Sequence, residues 1–387
     1  MNNLKNNPLE YGVLACKTMM RRYKAQDLPP KGALFYIPGV FLDGMQRIWR
    51  LNRDSELIKY VKDYVDGAIA PDGSLYGINH DLPLLEGSSI RLRTLTLLDC
   101  RQPSVLFDDL YDEYGEEKYM KAAKTIAESM YYYPINRYGG YWHKMTEPYQ
   151  MWLDGAYMAG PFSIKYSRRF GDNTLMERAI KQIFIMEEHM KDTKTGLYYH
   201  GWDDSKQERW ADPETGLSGQ FWGRAVGWFA LAIVDIMELI SKNHPAMERL
   251  AKIERELLIT LAKYQDKESG LWYQVLDKPG EEGNWLETSC SCLVAYSYAK
   301  AIRMGILDEK YTDVLEKACG GIDKIIYLDD EGGMVIPDIC LGTNIEDGSY
   351  EHYINRPKGS NDLHGVGVFL ILCSELERNE RGSKKGK

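Results

Sequence analysis

The sequence predicts an all-α fold, a ring of six helical hairpins, on three observations. Helical periodicity comes in recurring units rather than one continuous pattern, each unit opening with small or apolar residues and running into a polar helix. Turns of one style, glycine followed by aromatics, separate the units. Helices that are apolar nearly all round alternate with amphipathic ones, and a helix without a polar face has to be buried.

Taken in order, the openings read GVFLDGMQRIWRL from Gly39, SVLFDDLYDEYG from Ser104, AGPFSIKYSRRFG from Ala159, GWFALAIVDIMELI from Gly227, CLVAYSYAKAIRMG from Cys292 and GVGVFLILCSELER from Gly365. The turns are PDGSLYG at Pro71, RYGGYWHK at Arg137, KTGLYYHGW at Lys194, ESGLWYQV at Glu268 and EGGMVIPD at Glu331. Each opening is expected to be followed by an amphipathic partner rich in Lys and Glu, such as KYMKAAKTIAESMYYY from Lys118 or LAKIERELLITLAKYQ from Leu250. Apolar helices would then form an inner ring and their partners an outer one, an (α/α)6 barrel or toroid, with an open solenoid of helix pairs as the competing arrangement. No Pro/Gly/Ser linker divides the chain, so residues 1–377 are expected to form one domain, and the tail 378–387 (RNERGSKKGK) to be disordered.

Bulk composition narrows the function. A chain of 387 residues with 44% hydrophobic content buries a sizeable core. A net charge of -9 with no basic stripe argues against nucleic-acid binding, which depends on concentrated Lys and Arg. No apolar run is long enough for a membrane span and MNNLKNNPLEYG has no signal-like core, so a cytoplasmic location is expected. The seven cysteines show neither a disulfide framework nor zinc spacing, and are expected to be reduced, buried thiols. No metal site is expected, since DDS at Asp203 lacks a histidine at ligand spacing and NIEDGSYEHY from Asn344 is no complete calcium loop.

In a ring of hairpins, each aromatic turn and the start of the following inner helix lie at the same end. Asp99, Asp154, Arg224 and His364 stand just before or at inner-helix starts, and His143, Lys144 and His200 stand in the turns. Asp154 is the leading catalytic candidate: QMWLDGAYMAGPF surrounds it with apolar residues, which raise a carboxyl pKa and keep an acid protonated for donation. Asp is also a preferred N-cap, and that reading stands beside the catalytic one. Arg224 stacking on a neighbouring indole and the histidines serving as ordinary turn residues are likewise open. Convergence favours a site: helix N-termini, Arg224 and Lys144 suit an anion, Trp152, Trp222 and Trp228 offer faces to a sugar ring, and Asp154 with Asp99 forms the carboxylate pair of sugar hydrolysis. The residues alone point to an enzyme acting on a small acidic oligosaccharide.

The segments GGYWHK, QMWLDGAYMAGPF, GLYYHGWDDSKQERWADPETGLSGQFWGRAVGWFALAIVDIM and HGVGVFLILCSELE, in this order from residue 139 to 377, resemble glycoside hydrolase family 105, the unsaturated rhamnogalacturonyl hydrolases. The resemblance implies a six-hairpin barrel and a cytoplasmic enzyme that finishes pectin breakdown without metal, nucleotide or redox cofactor. It implies Asp154 as proton donor and Asp99 as assisting carboxylate, although LLDCRQPS departs from the family's pattern around Asp99. It makes His143, Trp152, His200, Trp222, Arg224 and Trp228 ligand-lining, with Tyr36 a candidate from the first hairpin. The implied reaction is hydration of the 4,5-double bond of an unsaturated uronate at the non-reducing end, after which the sugar is released. Unsaturated glucuronyl hydrolases of glycosaminoglycan or ulvan fragments share that chemistry. A toroidal sugar epimerase, using two histidines, and a noncatalytic sugar-binding toroid are the readings from other classes.

Overall fold

A computed structural model describes residues 4–31, 34–76 and 96–385, the side chains of 383–385 aside. The inner ring is built from α2 (Tyr36–Asn52), a 3-10 turn (Gln102–Leu106) continuing into α4 (Phe107–Tyr114), α6 (Gly155–Phe170), α8 (Gly223–Leu239), α10 (Thr288–Arg303) and α13 (Leu363–Lys385). Neighbours pack in this order, and α13 packs back on α2, so the ring closes rather than continuing as a solenoid. Burial explains the division: residues Gly223 to Met237 of α8 are all buried, as the absence of a polar face requires. The crossing of α2 and α13 is close enough to exclude side chains, since a Cβ on Gly44 would meet Gly367 O at 2.6 Å.

The outer helices α3 (Ser55–Asp66), α5 (Glu117–Tyr131), α7 (Thr174–Met190), α9 (Met247–Lys263) and α11 (Thr312–Ile325) each follow an inner helix, as the repeat predicts. The sixth differs. It is α1 (Pro8–Arg22), from the start of the chain, and it packs on α13 and α2, so the two ends of the sequence share one hairpin. The glycine of each aromatic turn (Gly73, Gly139, Gly196, Gly270, Gly332) has a positive φ, the conformation that made glycine the recurring mark in the sequence.

Helix α13 runs to Lys385, with Arg378 paired to Glu238 and Glu375 and Arg381 to Glu377; residues 386 and 387 lie outside the described ones. All seven cysteines are buried thiols outside any disulfide. Among the described residues no helix is long and apolar enough to cross a membrane.

Short two-stranded pairs decorate the barrel. Strand β1 (Gln150–Trp152) pairs with β2 (Gly201–Asp203), β3 (Tyr327–Leu328) with β4 (Met334–Val335), and β5 (Ile339–Cys340) with β6 (Lys358–Gly359). Between β5 and β6 the chain makes a strap carrying the short helix α12 (Tyr350–Ile354).

Candidate active site

Main-chain hydrogen bonds within and between successive turns assemble the site. Leu98 N–H donates to His143 O (3.1 Å), His143 N–H to Gln150 O (2.8 Å), Leu153 N–H to His200 O (3.0 Å) and His200 N–H to Gln220 O (3.2 Å). The first and third tie the connection of one hairpin to the next, and the second and fourth brace a connection on itself. They bring Asp99 beside His143 and Asp154 beside His200, although the sequence separates these pairs by more than forty residues.

A cavity of about 440 Å³ opens at this end of the ring, and Tyr36, Asp99, His143, Lys144, Trp152, Asp154 and Trp222 line it. That volume suits a small ligand. His143 stacks on Trp152 with centroids 4.5 Å apart and 14° between planes, and its Nε2 is 3.4 Å from Asp99 Oδ1. Lys144 Nζ lies 4.1 Å from the centre of the Trp152 ring and donates to Glu147 (2.9 Å) and Asn344 (3.0 Å). Trp152 is therefore held on one side by a ring and capped by a cation, with its own N–H donated to Gln150 Oε1 at 3.1 Å.

Asp154 occupies the N-cap position of α6, yet its side chain makes no capping bond. The two readings left open by the sequence thus separate: the position is a cap and the carboxyl group is not. Its Oδ2 lies 3.3 Å from His200 Nε2, at an angle outside hydrogen-bond geometry, and both atoms are buried without a hydrogen-bond partner. Burial pushes the Asp154 carboxyl up, but His200, then His143 and Arg224, outweigh it and hold the group below the usual aspartate range. This reverses the expectation from its apolar sequence neighbours, because the groups that set its charge come from three other segments.

His200 itself is fully buried, which pushes its imidazole below the usual histidine range despite Asp154. Its Nδ1 is 2.7 Å from Tyr353 OH on the strap. Burial drives the Tyr353 hydroxyl far up, so it keeps its proton and is able to donate to Nδ1, the pairing in which the ring N–H sits on Nε2, the nitrogen nearer Asp154. Arg224 is likewise buried behind the cavity wall. Its Nη1 donates to Cys340 O and to His364 Nε2 (2.9 Å), and its Cζ lies 4.5 Å from the Trp222 ring centre. Asp362 holds the opposite nitrogen of His364.

Trp228 does not join this group. One turn deeper on α8 than Arg224, it is fully buried and stacks on Tyr157 at 4.7 Å, whose hydroxyl donates to Asp43. The indole beside the FWGR motif is a core residue because α8 has no face outside the core. The sequence reading also missed the strap: Gly342, Thr343, Asn344, Glu346 and Arg356 line the cavity, and Tyr353 orients His200. Only the odd composition of NIEDGSYEHY marked this segment. Glu287, a true N-cap of α10, also went unnoticed; it accepts bonds from Cys290 N–H and from Cys340 N–H (2.8 Å), fixing the strand that holds Arg224.

Comparison with known proteins bears on the whole chain. Residues 12–380 match Glycosyl Hydrolase Family 88. A family 105 glycoside hydrolase of C. acetobutylicum ATCC 824 is 32% identical, with a TM-score of 0.86 over 95% of this chain and 99% of that one. Unsaturated rhamnogalacturonyl hydrolase YesR of Bacillus subtilis (strain 168) is 29% identical over 356 residues, covering 91% of this chain and 90% of that protein. An unsaturated glucuronyl hydrolase from Bacillus sp. GL1, at 14% identity, shares the fold with a TM-score of 0.70 over 98% of this chain and 97% of its own. With a match that runs nearly from end to end and a family 105 enzyme aligned over almost all of its length, the chain belongs to the family 88 and 105 glycosyl hydrolases.

Proposed function

We propose that this glycoside hydrolase removes the 4,5-unsaturated uronic acid from the non-reducing end of rhamnogalacturonan oligosaccharides. The observation that carries the reading is Asp154: a buried carboxyl at the cavity wall, neither capping its helix nor hydrogen-bonded, with His200, His143 and Arg224 around it. The similarity to YesR supports the choice of polymer.

In this mechanism the substrate carboxylate enters a site with Lys144 on its wall and the positive charge of Arg224 buried behind it. A second anion in the cavity raises the Asp154 pKa, so the carboxylate takes up a proton as substrate binds. Asp154 then gives that proton to C4 of the vinyl ether, and positive charge develops at C5 and the ring oxygen. The carboxylate so formed accepts a proton from water as the water oxygen attacks C5. The resulting hemiketal opens, and the bond to the neighbouring sugar is released with it. His200, neutral and with its Nε2 3.3 Å from Asp154 Oδ2, steadies the carboxylate stage. Asp99, beside His143, assists from the facing wall.

The test is loss of the ultraviolet absorbance of the unsaturated uronate when the protein meets a rhamnogalacturonan lyase digest, with the Asp154→Asn variant alongside. Unchanged absorbance at high enzyme concentration would sink the proposal. Faster decay on glycosaminoglycan or ulvan fragments would keep the chemistry and replace the polymer. An epimerase would instead tolerate Asp154→Asn better than loss of His143 or His200.

A further inference from the structure

Among the described residues two cations line the cavity, Lys144 and Arg356, and only one of them is committed. Lys144 is held by Glu147 and Asn344. Arg356 donates from Nη2 to Gly342 O, its Nε is buried without a partner, and no carboxylate among the described residues pairs with it. A guanidinium offers five N–H groups in a planar fork suited to a carboxylate, so most of its donors remain for a ligand.

Its location is fixed by the strap. The β5–β6 pair clamps both ends, Tyr353 reaches down to His200, Ile345 is buried in a small apolar cluster with Trp152 and Trp210, and His352 lies 2.8 Å from Thr343 Oγ1 and 2.9 Å from Asn344 O. The strap supplies Arg356, Thr343, Asn344 and Glu346 to the cavity lining, whereas the barrel turns supply the carboxylates Asp99 and Asp154. Glu147 is taken by Lys144 and Glu346 faces Asn344 Nδ2 at 3.4 Å, so neither acid neutralises it.

Resting on the proposed function, a terminal unsaturated sugar placed for protonation by Asp154 would leave the strap wall for the rest of the oligosaccharide. We infer that Arg356 forms an anion subsite on the leaving side of the cavity, which takes a carboxylate carried by the released portion of the substrate. The enzyme then prefers substrates whose leaving portion is acidic.

Unsaturated rhamnogalacturonan disaccharide, which releases a neutral sugar, and the corresponding tetrasaccharide, which releases a portion containing a uronate, are the probes. Wild type is expected to show the lower KM on the tetrasaccharide. Arg356→Met should raise the tetrasaccharide KM on the order of fivefold more than the disaccharide KM, with kcat little affected, as expected for loss of one charge-assisted contact. Arg356→Lys should restore part of the difference. An equal rise on both probes, or a wild type with no preference, overturns this inference and leaves the proposed function standing. No absorbance loss on either probe removes both.

Discussion

At one end of the ring Asp43, Arg47, Asp235, Lys300 and Glu238 surround a cavity of about 370 Å³; at the other, Asp99, His143, Asp154 and Arg356 line one of about 440 Å³. The side-chain types overlap and the bookkeeping does not. At the first end every one of these charges is answered: Arg47 bridges Asp43 (3.1 Å) and Asp235 (2.6 Å), Lys300 bridges Asp235 (2.6 Å) and Glu238 (2.8 Å), and Arg303 and Arg378 close on Glu238. Burial pushes the Asp235 and Glu238 carboxyls up, yet these cations hold both far below their usual ranges. At the other end Asp154 Oδ2, His200 Nε2 and Arg356 Nε are buried with no hydrogen bond. Pairing marks the end that holds the ring together, and unpaired groups mark the end that meets substrate.

The largest expected effect breaks the site end alone. Asp154→Asn should lower kcat on the unsaturated disaccharide by about 10³-fold or more, the scale of a lost general acid, while thermal unfolding shows the protein at least as stable as wild type. A large stability loss with kcat per folded molecule preserved would put Asp154 in the class of Asp235 and end the contrast. The mirror change is Asp235→Ala, which strands Lys300 and Arg47 in a buried site and should cost about 3 kcal/mol or more in denaturant unfolding, with kcat per folded molecule retained. Smaller is Tyr353→Phe. It removes the donor available to His200 Nδ1 and should reduce kcat about tenfold, roughly 1.4 kcal/mol, with little change in KM.

How far the sequence discloses these ends follows from where the information lies. The inner helices are legible because a run such as GWFALAIVDIMELI states its own burial, and the turn glycines state their own conformation. Asp154 is legible as an oddity, a charge in an apolar segment. Its charge state is not, because His143, His200 and Arg224 reach it from other hairpins. Tyr353 and Arg356 lie on a strap more than a hundred residues from the YYHGWD and FWGR motifs, and only folding carries them to the cavity. Trp228 misleads for the opposite reason: proximity to Arg224 in sequence puts it one turn down a helix, where the site has already given way to core. The same blindness hides the sixth outer helix, since nothing local in PLEYGVLACKTMMRR names α13 as its partner.

One group tests the rule from outside either end. Glu254 on α9 is fully buried, neither oxygen has a hydrogen bond, and burial alone drives its carboxyl well above the usual range, so it keeps its proton in the folded protein. It lines neither of the two cavities, so an unpaired polar group here carries cost without function. The sign follows from linkage. Below the ordinary glutamate pKa of about 4.3 both folded and unfolded chains hold the proton and folding bears no charge cost. As pH rises, the unfolded chain releases the proton and the folded one does not, so stability falls through the interval up to the raised pKa. Glu254→Gln, neutral at every pH, should match wild type near pH 4 and exceed it by about 1 kcal/mol or more at pH 7 in parallel unfolding titrations. Glu254→Met removes the buried polar atoms as well and should gain at both pH values. A wild-type advantage over Gln at pH 7 would show that the carboxylate has a partner in solution, and pairing would then no longer separate the working end of the barrel from the rest.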